Sequence, residues 1–206
     1  MKFKDFKFVY ISTDYLKALH EEDSEIFYAE SSGYELKPHL GILIAFDKYN
    51  YVIPLTSAKE KHKKWKDVTA TNYRIFEIID IRHSKIDPFD IIVDENNFNK
   101  LRAMGVKPDE YKYYKKRILS VLEIKKMFPV PDDKYQIVDL DTPSDSLEVE
   151  NRRILMQKEY FFCRRIMNSI EEKAHRLYHK QIATGIIEPF SCNFKKLETI
   201  AEKYIQ

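Results

Sequence analysis

The chain has 206 residues, enough for one domain with a substantial core or for one domain carrying an insertion. Hydrophobic residues make up 44% and charged residues 33%, a globular balance that excludes a disordered chain. The formal net charge is only +2, from 35 basic and 33 acidic residues, so any nucleic-acid reading has to come from local clusters.

Four glycines leave no room for a Gly-rich phosphate loop. Cys163 and Cys192 stand outside any CxxC or metal-ligand spacing, and two free thiols suit a reducing cytoplasm. Residues 1–7 alternate charge with aromatics and lack the apolar run of a signal peptide. No apolar run approaches the roughly 18–20 residues that span a membrane.

In chain order, residues 6–11 alternate as a strand, and Ser12-Thr13-Asp14 offers N-cap chemistry for a helix to about Glu22. Residues 23–38 read as a loop. Residues 40–46 and 51–55 are apolar strands around a turn at 47–50, followed by a polar segment at 56–66 and a strand at 73–81. Residues 82–117 are less regular, with a short apolar run at 90–93, a helix near 97–104 and a basic, Tyr-rich stretch at 111–117. Strands follow at 118–124 and 127–130, where Pro129 and Pro131 suit an edge or a strand end. From about Ser146 the period becomes helical. Leu155, Phe162, Ile166, Ile170, Ala174 and Leu177 fall on one face, Gly185 stops the run, and a last helix fits 193–204. Strands first and helices last predict an α+β fold, a compact, strongly twisted antiparallel sheet packed by C-terminal helices.

The segment at 56–66 holds Lys59, Lys61, Lys63, Lys64, Lys66 and His62 against a single acid, Glu60. Thr56 and Ser57 place hydroxyls beside those ammonium groups at the end of a strand. Such a set suits a phosphodiester, because cations stabilise a pentavalent phosphorane while hydroxyls orient it. The same residues also fit a solvated lysine-rich loop. Tyr34, Lys37 and His39 precede a buried strand, with Pro38 stiffening the approach. Arg152, Arg153, Arg164 and Arg165 can face RNA backbone from a helix, or can form a solvated face paired with Glu159, Glu171 and Glu172. Residues 111–117 interleave aromatics with cations, as base-stacking surfaces do. The six histidines are scattered, His175 and His179 lack an HExxH context, and Asp80, Asp87, Asp90 and Asp94 form no two-metal pattern, so no metal or cofactor is expected.

Four features stand in order along the chain: Lys37 four residues before Gly41, Pro54-Leu55-Thr56-Ser57-Ala58-Lys59 with His62-Lys63 downstream, Met127-Phe128-Pro129-Val130-Pro131, and Cys192-Asn193-Phe194. Together they resemble the ToxN/AbiQ family of type III toxin–antitoxin endoribonucleases, from residue 1 to residue 206. Tyr34 lies nearer the lysine than the family's tyrosine. The stretch at 82–117 is longer than the family pattern and reads as an insertion in a single domain spanning 1–206.

The resemblance implies a Kid/MazF-like core and an RNA antitoxin of repeated pseudoknots, trimmed by the toxin and held in a closed toxin–RNA hetero-oligomer. It also implies a cytoplasmic enzyme acting on cellular or phage RNA, in growth arrest or abortive infection, with neither DNA nor membrane as partner. The expected reaction is metal-independent attack by the ribose 2′-OH, giving a 2′,3′-cyclic phosphate and a 5′-hydroxyl. Ser57, Thr56, Lys59, Lys37 and Tyr34 are the catalytic candidates. His62, Lys61, Lys63, Lys64, Arg152, Arg153, Arg164 and Arg165 are the RNA-binding candidates. A non-catalytic RNA-binding regulator and a Kid/MazF-type toxin with a protein antitoxin are the alternatives.

Overall fold

Apolar alternation at the start of the chain forms β1 (Lys7–Ile11), which buries Phe8, Val9 and Ile11. The computed structural model describes residues 7–28, 39–46 and 49–204. Tyr34 and Lys37 therefore lie outside the described residues. Helix α1 (Thr13–Glu22) starts at Ser12, which takes the extended N-cap backbone without a side-chain cap bond. It turns Tyr15, Leu16 and Leu19 into the core.

The central hairpin joins β2 (His39–Phe46) to β3 (Tyr49–Ser57), in register from Gly41 opposite Pro54 to Phe46 opposite Tyr49. Gly41 is required by close approach, since a Cβ there would lie 2.1 Å from Val52 Cγ1 and 3.0 Å from the Ile53 carbonyl oxygen. The remaining strands are β4 (Asn72–Asp80), β5 (Asp90–Ile92), β6 (Tyr114–Glu123), β7 (Phe128–Val130) and β8 (Tyr135–Ile137). Helices α2 (Phe98–Ala103), α3 (Leu147–Arg165), α4 (Met167–Thr184) and α5 (Phe194–Tyr204) complete the described elements.

The sheet runs β4-β6-β3-β2-β1-β8, with β5 on β6 and β7 on β3, and these pairings are antiparallel. The mixed fold with C-terminal helices is the one the sequence predicts. Strand β8 was not expected; it is only three residues long, with two of them exposed, so it leaves almost no periodic signal.

Strand β3 changes partners along its length. Its ladder with β2 ends at Pro54, which has no N–H to donate, and Leu55, Thr56 and Ser57 then pair with Leu122, Val121 and Ser120 of β6. Thr56 and Ser57 thus stand on a strand fixed by β6 on one side, and among the described residues the β2 ladder on the other side ends before them.

The single helical stripe expected from 155 to 177 is corrected to two helices. The chain breaks at Ile166, whose φ of −113° and ψ of 14° leave the helical region. The break shifts the phase. On α3 the buried residues are Met156, Glu159 and Cys163, while Leu155 is 39% exposed. On α4, Ile170, Ala174 and Leu177 are buried as expected, and Gly185 ends the helix at a φ of 67°. The Cys192-Asn193-Phe194 run is a structural junction. Gln181 takes the Phe194 N–H at 2.7 Å and donates to the Cys192 carbonyl at 2.9 Å, and Asp23 accepts the Asn193 N–H at 2.8 Å.

Residues 82–117 build a small core of their own, with Val93, Leu101 and Val106 packed by Phe98, Tyr111 and Tyr114. The basic run at 111–117 is not one surface. It passes from a 3-10 turn (Pro108–Tyr113) into β6, where Lys116 is fully buried. The Lys116 ammonium meets Asp67 at 2.9 Å and Asp94 at 2.5 Å. Among the described residues, no helix is long and apolar enough to cross a membrane.

Candidate active site

The end of β3 opens into a cleft of about 800 Å³, and Thr56, Ser57, Lys59, Lys61 and Arg152 all line it. Five sequence candidates, 96 residues apart at the extremes, therefore meet at one site. Thr56 is half-buried, while Ser57, Lys59 and Lys61 are exposed.

The lysine segment is a braced turn rather than a free loop. Residues Glu60–Lys64 wind into a 3-10 turn, in which the His62 N–H donates to the Lys59 carbonyl at 2.8 Å. The Lys59 N–H in turn donates to His62 Nδ1 at 3.1 Å. The Arg74 guanidinium holds the turn from below, donating to the carbonyls of His62 and Lys63 at 3.0 and 3.1 Å. Arg74 is itself fixed on Asp67, the carboxylate that Lys116 also grips, and Asn97 donates to Asp67 at 2.9 Å. Asp94 and Asn97 come from the 82–117 segment, so that segment supports the lysine turn through a partly buried ionic knot.

This geometry corrects the expectation for His62. Its side chain is fully buried and packed 4.7 Å from the Trp65 ring, rather than presented at the surface. Burial, helped by the nearby Lys61 charge, lowers its pKa and keeps the ring neutral at pH 7. Its Nδ1 accepts a hydrogen bond from the Lys59 N–H, so its work is to hold Lys59 in place.

Other candidates separate from the cleft. Lys63 pairs with Glu60 at 2.9 Å. Arg153 grips Glu150 at 2.6 Å and the Leu140 carbonyl at 2.7 Å, while Arg164 lines a second groove beside Leu140. Those two arginines share a helix face, as their spacing predicts, but it looks toward the segment after β8. Arg165 stacks over Phe162, and neither it nor Lys64 lines the cleft.

The cleft also holds residues that the sequence did not single out for this place. Arg117 is fixed on Asp90 at 2.8 Å, and Lys126 pairs with Glu25. Lys59 and Lys61 instead lie over aromatic rings, Phe27 at 5.7 Å and Trp65 at 5.5 Å. Ser120 and Glu159 lie deeper, 2% and 4% exposed. Burial pushes the Glu159 carboxyl up to about 7. The expectation that Glu159 pairs with arginines on a solvated face is thus overturned. Its spacing from Met156 and Cys163, three and four residues, is the sequence signal that places it on the buried face.

A family model for the toxin ToxN of type III toxin–antitoxin systems matches residues 7–202. The chain belongs to this family. Two curated relatives are each 24% identical to it. One is the endoribonuclease AbiQ of Lactococcus lactis subsp. lactis, aligned over 96% of this chain and 88% of its own length. The other is the endoribonuclease ToxN of Bacillus thuringiensis subsp. kurstaki, aligned over 96% and 84%. Among solved structures, a type III toxin described as selectively inhibited by a non-coding RNA pseudoknot superposes with a TM-score of 0.65 at 20% identity, covering 98% of both chains. AbiQ, described as an anti-phage endoribonuclease, superposes with a TM-score of 0.62 at 22% identity, again covering 98% of both. The fold is therefore that of the ToxN and AbiQ toxins.

Proposed function

We propose that the protein is the toxic endoribonuclease of a type III toxin–antitoxin system, restrained by a repeated pseudoknot RNA that it also trims. The observation that carries this reading is the meeting of Thr56, Ser57 and Lys59 with Lys61 and Arg152 in one cleft, in a chain of the ToxN family. The whole chain acts as one unit on a Kid/MazF-like core, with 82–117 as an insertion. It works in the cytoplasm on cellular or phage RNA, and with its antitoxin it closes into a toxin–RNA hetero-oligomer.

The reaction is attack of a ribose 2′-OH on the adjacent phosphate, which leaves a 2′,3′-cyclic phosphate and a 5′-hydroxyl. The nucleophile belongs to the substrate, so no metal is needed to generate it. Ser57 and Thr56 orient the phosphate from a strand fixed by β6, and Lys59 stabilises the charge of the phosphorane. Lys37 and Tyr34 complete the catalytic set. Lys61 and Arg152 hold the RNA backbone in the cleft. Lys63, Lys64, Arg153, Arg164 and Arg165 add positive potential on the surfaces beyond it.

Ser57→Ala and Lys59→Ala test the assignment, with RNA cleavage followed in excess EDTA. Each variant is expected to lose roughly 100-fold or more in rate while still binding RNA. Variants that cut as fast as the parent overturn the residue assignment. Cleavage abolished by EDTA and restored by a divalent ion overturns the metal-free mechanism. RNA binding with no products from the parent chain points to a regulator instead.

A further inference from the structure

The floor of the cleft has polar groups that the cleavage mechanism above leaves unused. Ser120 is nine-tenths buried or more, and its hydroxyl has no hydrogen-bond partner. It lies beside the Glu159 carboxyl, near enough to influence it but short of full hydrogen-bond geometry. A buried hydroxyl left in this state is costly, and in native proteins such a group normally meets a ligand or water. Around it the cleft is apolar, with Leu119, Phe128, Leu155 and Met156.

The position is also informative. Ser120 stands directly opposite Ser57 in the β3–β6 ladder, so their Cβ atoms are about 5 Å apart on one face of the sheet. Whatever sits on Ser120 is next to the phosphate that Ser57 addresses. The cations lie toward the mouth, on Lys59, Lys61 and Arg152. A phosphate gains nothing from a buried carboxyl in an apolar recess. A flat heteroaromatic ring with a polar edge gains both its apolar faces and its hydrogen bonds.

We propose that Ser120 and Glu159 form a nucleobase subsite, which receives the edge of one base flanking the scissile phosphate. This rests on the reading of the chain as an RNase and adds to it a specificity-determining pair. In its un-ionised form, which burial favours, the Glu159 carboxyl offers one O–H donor and one carbonyl acceptor side by side. A base edge presents the complementary acceptor and donor, and the Ser120 hydroxyl adds a third bond.

The test uses short RNA oligonucleotides carrying the cleavage site, each with a single abasic nucleotide at a different position, cut by the parent chain, E159A, E159Q and S120A. The parent is expected to lose about tenfold in kcat/KM for an abasic unit at one position beside the cut, the value of about one such hydrogen-bonded contact. E159A and S120A should cut the intact oligonucleotide about tenfold more slowly and no longer distinguish that abasic position. E159Q, which carries an N–H donor and a carbonyl acceptor in place of the acid, should keep the discrimination.

Three results overturn the proposal. E159A and S120A both cut at parent rates; their losses are the same whichever base is missing; or E159Q slows cleavage as much as E159A while RNA binding persists, which would make Glu159 a proton carrier. If E159A fails to fold, S120A alone decides, since it removes one small buried atom. A parent chain that cuts no RNA refutes the RNase reading itself, an outcome distinct from all of these.

Discussion

Replacing Glu159 by glutamine should stabilise the protein, and should do so increasingly as pH rises. The ordinary carboxyl titrates near 4.5, whereas burial raises Glu159 to about 7. Below pH 4.5 the group is neutral folded and unfolded, and contributes no difference. Between 4.5 and about 7 the unfolded carboxyl ionises while the folded one resists, so stability falls through that window. Well above 7 the accumulated cost levels off at about 3 kcal/mol. Glutamine keeps the shape and cannot ionise, so it escapes this cost. The advantage of E159Q over the parent should grow by about 2 kcal/mol between pH 5.5 and pH 8.5. Urea unfolding at the two pH values measures it, with a relative shift in midpoint of roughly 1 M. An advantage equal at both pH values would mean that the carboxyl is solvated, and would refute the burial on which both the shift and the base subsite depend.

Lys116→Met should destabilise the fold by about 2–3 kcal/mol in urea, because Asp67 and Asp94 lose the ammonium between them; the partial exposure of Asp94 keeps the figure below that of a wholly buried pair. Gly41→Ala should cost about 1–3 kcal/mol, since the new methyl has no space beside Val52 and the Ile53 carbonyl; an unchanged melting temperature would show that β2 and β3 are not so close. Lys61→Ala and Arg152→Ala should each reduce the slope of log affinity for RNA against log salt by roughly 1, and a slope unchanged in both would remove them from the backbone path. His62→Ala should lower the cleavage rate while RNA affinity at low salt stays within about threefold, because the residue holds Lys59 rather than touching RNA; equal losses in both would return His62 to the RNA surface.

The sequence showed most of the sheet, because β1 to β4 and β6 carry apolar alternation or runs long enough to read. It also placed the Pro54–Lys59 segment correctly at a strand end. What it could not show is pairing at a distance. The partnering of β3 with β6, which sets Ser57 opposite Ser120, depends on contacts more than 60 residues apart. Composition was misleading at Lys116, His62 and Glu159. Charged residues are normally solvated, and Asp67 with Asp94 makes burial of Lys116 acceptable, while His62 is buried with its ring neutral. The break at Ile166 was hidden for a different reason, since a stripe with steps of four and three remains plausible across a change of helix phase.

The bracing of the lysine turn has a consequence for how such an enzyme can be silenced. Two hydrogen bonds between Lys59 and His62, one backbone to backbone and one from the Lys59 N–H to the imidazole, with Arg74 fastened beneath, leave the Lys59 backbone little freedom to be displaced. An inhibitor that had to distort this region would need to break the ionic knot as well. Occlusion costs far less: a ligand that fills the cleft meets a surface already shaped for the substrate. Control by a molecule chemically like the substrate is the economical solution for a site this stiff. Such control would also be lost the moment the occupant was degraded, with no slow refolding step between release and activity.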